Sequence, residues 1–397
     1  MTFRSYFLLL LLLAGSRGLR AQQRLTGKIT DAATGQPVAY ASVVVAASSQ
    51  GTTSNAEGEF ELPALRLPAR LIVSALTHVR DTVAVAAGGP LSIRLLPATV
   101  LLPDVTTGSY TAELLKKAYR QLHRSYPQKT YAHAFYRQIT RLDGAATEVQ
   151  EMIWDAKTSS AGVEGTALAQ ARYAEKEALV NFKNFSFFTK AYSLYDTKAD
   201  SSASTAVVSL NTARNYTLSV LGVTQDGPRQ LVEIGFVSKP DVNPHNYRGR
   251  LTIDEASGQI LRFQLTTPDS RSRSNNPMFK LQNPATTFEL VFEFNPTGAA
   301  RLSYVHIGYQ TALTRPFRDA VQVQTSSFTY FYDGQTTPAS ATYAPASATQ
   351  ADLATIKKTT YNAAQWQNNP AVKRTPLEEE VIRSFEQKGA FGTLLSH

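Results

Sequence analysis

The chain reads as mainly β: a small N-terminal sandwich, then a larger antiparallel, curved sheet with one covering helix. Three observations predict this. Short runs rich in Val, Ile, Thr, Tyr and Phe recur from Arg24 to Phe331, many of them divided by Gly-containing turns. After Thr111, Leu114, Leu115, Ala118 and Leu122 recur at helical spacing. Beyond Tyr216 no helix-length segment separates one strand from the next, so antiparallel neighbours are the natural pairing. With 397 residues, 43% of them hydrophobic, two or three cores can be filled.

Residues 1–21 read as an export signal. Arg4 supplies positive charge, an apolar run follows from Phe7 to Leu13, and small residues lead to Ala21. Cleavage is expected after Ala21, before Gln22. Leu19 is large for its place before that cut, so cleavage near Ser16 is the alternative. The apolar run is too short to span a bilayer. The chain contains no cysteine, which excludes disulfides, thiolate metal sites, a thiol nucleophile and a cysteine-linked lipid anchor. The formal charge of +9 falls to +6 once Arg4, Arg17 and Arg20 are removed with the signal. The remaining Lys and Arg are scattered, with Arg271 and Arg273 forming a local pair, so a nucleic-acid surface is not expected.

Residues 24–100 form the sandwich module. Strands are expected at 24–30, 38–46, 71–75, 82–86 and 91–95. Gly35 and Pro37 shape the first turn, and Asn55 to Gly58 make a tight turn ahead of Phe60 and Leu62, which share a core face. Gly27-Lys28-Ile29-Thr30-Asp31, Thr34-Gly35-Gln36-Pro37-Val38, Ala41-Ser42-Val43, Gly51-Thr52 and Gly58-Glu59-Phe60 together resemble the carboxypeptidase regulatory-like domain, common in Bacteroidetes envelope proteins. The resemblance implies an Ig-like or transthyretin-like sandwich serving as a structural or adaptor module. Asn55 stands where that family usually has Asp, and Thr77-His78 where a Gly-aromatic pair is frequent. A zinc carboxypeptidase would need a His with a Glu three residues on. Three residues after His78, His123, His133, His245 and His306 stand Asp81, Tyr126, Tyr136, Arg248 and Tyr309, and His397 ends the sequence. No metal or other cofactor is expected.

Residues 101–109 read as a linker and 110–333 as the larger domain. Thr111 caps its helix and Tyr126-Pro127 stops it. A hairpin is expected from 131–139 and 147–156 around Asp143-Gly144, then a small-residue excursion over 158–171, an aromatic stretch over 182–188 and a polar loop over 197–206. Strands follow at 216–223, 231–237, 247–254, 259–266, 287–294, 301–310 and 321–331. Tyr216-Thr217-Leu218-Ser219-Val220, the run 231–236 and the run 250–260 resemble the LolA/LolB-type half-barrel of lipoprotein-sorting proteins. In that fold such strands enclose an apolar ligand. Residues 334–397 read as a linker and a C-terminal helix. Thr375-Pro376-Leu377-Glu378 forms a capping box, and Val381 and Phe385 lie one turn apart to dock on the domain.

Candidate chemistry is sparse. His133 and His306 could act as general bases, but no Ser or Asp pattern fixes a partner, so strand histidines are the simpler reading. Asp254-Glu255 reads as a turn and Glu378-Glu379-Glu380 as helix-dipole chemistry, neither as a ligand cluster. Phe182 to Phe188 could line a cavity or touch a membrane; a core role is commoner. Nucleophile elbow, phosphate loop and dinucleotide fingerprint are all absent from the sequence. The expectation is therefore a non-enzymatic envelope protein, in the periplasm or at the outer-membrane periphery. Its sandwich docks, and its β domain holds a lipid, acyl group or partner segment against Trp154, Phe236 and Phe263. A structural surface protein without a cavity is the alternative, and a hydrolase with a dispersed site the third reading.

Overall fold

The computed structural model describes residues 23–395 except 49, 99, 102–107, 198–203, 242–245, 269–277, 339, 361, 363–365, 367–373 and 392–393. The expected signal, His245, Arg271, Arg273 and His397 lie outside the described residues, as does much of the expected linker and of the polar loop.

The first seven strands are β1 (Gln23–Asp31), β2 (Ser42–Val45), β3 (Gly51–Thr53), β4 (Glu59–Leu65), β5 (Ala69–Ser74), β6 (Asp81–Val85) and β7 (Leu91–Leu95). They form two facing sheets, β4-β1-β7 and β3-β2-β5-β6, around Leu25, Ile29, Val43, Phe60, Leu62 and Leu71. Phe60 and Leu62 are core residues, as their shared parity requires. The second strand is shorter than expected because residues 38–41 stay outside the β2 ladder, with Tyr40 among them at φ 56°. Gly58, at φ +75°, is obligatory: a Cβ there would sit 2.3 Å from the Ile29 carbonyl oxygen.

The remaining strands are β8 (Val100–Leu101), β9 (Thr130–Leu142), β10 (Ala145–Ser159), β11 (Gly162–Lys176), β12 (Tyr216–Asp226), β13 (Arg229–Ser238), β14 (Arg248–Asp254), β15 (Ile260–Thr267), β16 (Lys280–Glu293), β17 (Arg301–Arg315), β18 (Arg318–Gln335) and β19 (Leu394–Leu395). They join in one curved, unclosed sheet of order β19-β11-β10-β9-β18-β17-β16-β15-β14-β13-β12-β8. From β9 to β18 every pairing is antiparallel, and the meander is closed into one sheet by β18 pairing with β9. The helices are α1 (Gly108–Ser125), α2 (Ser186–Ala191), α3 (Thr212–Asn215), α4 (Asp352–Ile356) and α5 (Pro376–Gln387).

Three boundaries differ from expectation. Helix α1 begins at Gly108, ahead of Thr111, and Val100–Leu101 joins the large sheet by pairing with β12. Residues 158–171 are not an excursion: they end β10 and open β11. Their Ala and Gly residues allow other backbone to lie close. Thr166 bridges to Ala344, and a Cβ on Gly165 or Gly162 would come within 3.0 Å of Tyr343 Cβ or 2.8 Å of the Tyr192 carbonyl oxygen.

The sheet's inner face carries the main core. Val232, Ile234 and Phe236 of β13 share it with Leu251, Phe263, Leu290, Ile307 and the Leu114, Leu115 and Leu122 stripe of α1. The helix is held there by Lys117 and Tyr110, which donate to the Glu255 carbonyl and carboxylate at 2.7 and 2.6 Å. The outer face is buried as well where β9, β10 and β11 meet α5. Val381, Ile382 and Phe385 pack on Ile139, Val149 and Ala174, and the Thr375–Glu378 capping box starts α5 as its sequence specifies.

Beneath α5 lies Glu151, 1% exposed, between Arg137 and Arg172. Arg137 Nε donates at 2.7 Å and Arg172 Nε at 2.5 Å, and the two guanidinium groups reach out to Glu378 and Glu386 of α5, each at 3.2 Å. Trp366 and Phe391 flank Arg172 at 4.8 and 4.4 Å. Burial opposes ionisation of Glu151, but Arg137, Arg172 and Arg374 outweigh it and hold its carboxyl down to about 2 from an ordinary 4.5.

The sandwich docks on the same outer face. Tyr40 stacks on Phe328 with centroids 4.7 Å apart and lies 5.4 Å from Tyr304 and 5.8 Å from His306. Asn55 does two things at once. Its Oδ1 accepts the Glu57 and Glu59 amides, and its Nδ2 donates to the Arg374 carbonyl at 3.0 Å, a bond Asp has no donor to make.

Replacing Glu151 by Ala strands two buried guanidinium groups and is expected to cost roughly 3–5 kcal/mol at neutral pH in a denaturant titration. Because the folded carboxyl titrates below its unfolded value, its contribution is complete above pH 4.5 and is lost as pH falls toward 2. Wild-type stability should therefore drop more steeply across that window than that of Glu151→Gln; parallel slopes would refute the assignment. Tyr40→Ala removes the sandwich's anchor, at a cost of roughly 3 kcal/mol. Calorimetry should then show one unfolding transition in the wild type and two in the variant, and a single unshifted transition would show that Tyr40 does not couple the units.

Candidate ligand site on the inner face

Trp154, Phe236 and Phe263 all point to the inner face and all are buried, but they do not form one site. Seven strand steps separate β10 from β13 in the sheet order, roughly 30 Å along the sheet. Phe236 and Phe263 stack at 5.8 Å, with Tyr216 edge-on to the first and Tyr192 5.8 Å from the second. Phe236 also lies across Gly249, where a Cβ would fall 2.7 Å from its ring. These two are packing residues beneath Tyr216 and Tyr192; no described cavity opens at Phe263, and Phe236 borders a shallow groove with Leu265, Phe288 and His306.

Trp154 differs. It stacks on Tyr136 at 5.0 Å and borders a cavity of about 260 Å³. Met152 and Leu168 complete an apolar floor, while Asn184, Lys190 and Asp352 line the other side. Lys190 Nζ sits 4.7 Å over the indole and 3.0 Å from Asp352 Oδ1. The Asp352 carboxylate also accepts the Ser186 hydroxyl at 2.7 Å and the Ser186 amide at 3.2 Å. The aromatic stretch over 182–188 thus serves as cover: Phe185 is buried, and Phe182 and Phe188 pack against the same core. The Lys190–Asp352 pair escapes sequence reading because 162 residues separate its members.

Deeper in the same face lies Glu148. It accepts Thr140 Oγ1 at 2.8 Å, Gln150 Nε2 at 2.6 Å, Gln138 Nε2 at 3.2 Å and the Phe182 amide at 3.1 Å. Burial raises its pKa against those donors, and Glu175 faces it across the ladder. Among the described residues, no group of three or more His, Asp or Glu side chains could hold a metal ion.

The two strand histidines are on the outer face and belong to different neighbourhoods. His133 Nδ1 lies 2.8 Å from Asp155 across the ladder, a partner the sequence did not disclose, and is half exposed. His306 is held under Tyr40, where burial lowers its pKa. Asp254 closes the β14–β15 turn by accepting the Ser257 amide and hydroxyl. His78, the one histidine with a carboxylate three residues on, pairs instead with Asp31 at 3.0 Å.

No curated protein sequence matches the chain detectably. Solved structures with a similar strand arrangement include a LolA superfamily protein from Nitrosomonas europaea, at 11% identity, TM-score 0.23, covering 59% of this chain and 96% of that one. Another is a DUF1329 family protein from Desulfovibrio piger, at 10% identity, TM-score 0.22, covering 57% and 94%. Likenesses at these scores say nothing of what the chain binds. Residues 25–111 match the CarboxypepD_reg-like domain, and the N-terminal sandwich is a domain of that kind.

Proposed function

We propose that the protein is a non-enzymatic binding protein of the cell envelope whose large sheet takes up an acyl chain at Trp154. The observation that carries this reading is the cavity itself: an indole, a thioether and an isobutyl group on one side, and on the other the Lys190–Asp352 ion pair with several amide and hydroxyl groups. Such a lining suits a ligand with an apolar body and a polar end. At about 260 Å³ the space accommodates one short chain or the end of a longer one, not a whole diacyl lipid. The cover over it is irregular chain with the short helices α2 and α4, which can move at less cost than a second sheet. Export rests on residues 1–21, and the periplasm or outer-membrane periphery is the compartment proposed.

Protein purified without detergent from the envelope of its native host is expected to carry a stoichiometric acyl compound in native mass spectrometry and organic extraction. Protein that is empty and remains empty after exposure to lipids would defeat the reading. Leu168→Phe, which fills the cavity, should weaken dodecanoate binding about tenfold in a Trp-fluorescence titration. Unchanged affinity would place the ligand elsewhere.

A further inference from the structure

The longest hairpin of the sheet, β17–β18, ends in the two-residue turn Pro316-Phe317 between the paired Arg315 and Arg318. Phe317 is fully exposed, at 103% of its reference area, and holds φ 57°. Pro at the first central position and a positive φ at the second describe a type II turn, whose second position favours Gly or Asn. A phenyl ring there has a backbone cost and no packing return, so the fold does not explain it. Met278, 59% exposed, lies two residues before Lys280, and Lys280 pairs with Thr314 beside the turn. Among the described residues the same tip carries Arg315, Arg318 and Lys280 against the one carboxylate of Asp319. None of the three cations has an ion-pair partner among the described residues. Below the tip the ribbon is firm, because Leu313, Val321 and Val323 are buried with Phe279 and Leu281.

We infer that this hairpin tip is a membrane-contact element that inserts Phe317 and Met278 into the interface of an acidic phospholipid bilayer. Arg315, Arg318 and Lys280 then meet the headgroups. An exposed aromatic ringed by cations at the end of a rigid ribbon has the two signals that peripheral binding requires, an apolar wedge and electrostatic attraction. A protein groove would call for apolar side chains flanked by acids and bases in balance, whereas the described residues of the tip carry three cations against one carboxylate.

The test is vesicle flotation of the full mature chain. It should float with vesicles of phosphatidylglycerol in phosphatidylcholine and stay behind with phosphatidylcholine alone. Phe317→Asn should weaken the anionic-vesicle interaction roughly 10- to 100-fold, the worth of burying one phenyl side chain. Its thermal stability should be unchanged or higher, since Asn suits the turn. Arg318→Glu and Lys280→Glu should each weaken binding at least fivefold. Phe317→Asn floating as well as the wild type, equal flotation on neutral vesicles, or no flotation on either kind would each overturn the inference. Leu168→Phe should float normally, so this element and the proposed acyl cavity stand or fall separately.

Discussion

The architecture depends on Glu151. A carboxylate on the outer face of β10 is tolerable only with two guanidinium groups against it, and those groups in turn need acceptors and a cover. Helix α5 supplies both, through Glu378 and Glu386 and through Val381, Ile382 and Phe385. A buried triad of this type contributes less net stability than apolar packing of equal volume. What it imposes is position: α5 has one placement in which both acids meet both arginines. That placement brings Arg374 to Asn55 and thereby ties the sandwich to the large sheet.

With both faces covered over part of its width, the sheet departs from simple alternation. The burial of β10 is nearly continuous from Thr147 to Trp154, polar and apolar residues alike. Existence and order of the strands were nevertheless legible, because turn residues such as Asp143-Gly144, Asp226-Gly227 and Ser257-Gly258 mark the reversals. So was α5, whose capping box is local chemistry. What could not be read was β11. Its Ala and Gly residues look like a loose loop until it is known that Tyr192 and the chain at 343–344 press against them.

The candidate residues were legible in the sequence as large apolar strand residues, but neither their facing nor their partners were. Trp154, Phe236 and Phe263 do face inward, because register carries one face across the ladder. Which of them meets space and which meets protein depends on segments far away in sequence. Tyr192 and Tyr216 close over the two phenylalanines, whereas the segment of Asp352 leaves a gap above the indole. The His133–Asp155 pair has the same origin, a cross-strand neighbour fixed by a hairpin register that no spacing reveals.

Two bulky residues sit in the left-handed region at the ends of ladders, and they have opposite surroundings. Tyr40, at φ 56°, drives its ring into Tyr304 and Phe328, so packing offsets the backbone cost and the strain has a structural reason. Phe317, at φ 57°, has the same cost and no neighbour to offset it. A local rule broken with compensation belongs to the fold; the same rule broken without it points outside the molecule. The isolated chain resolves the first and leaves the second to a surface it meets elsewhere.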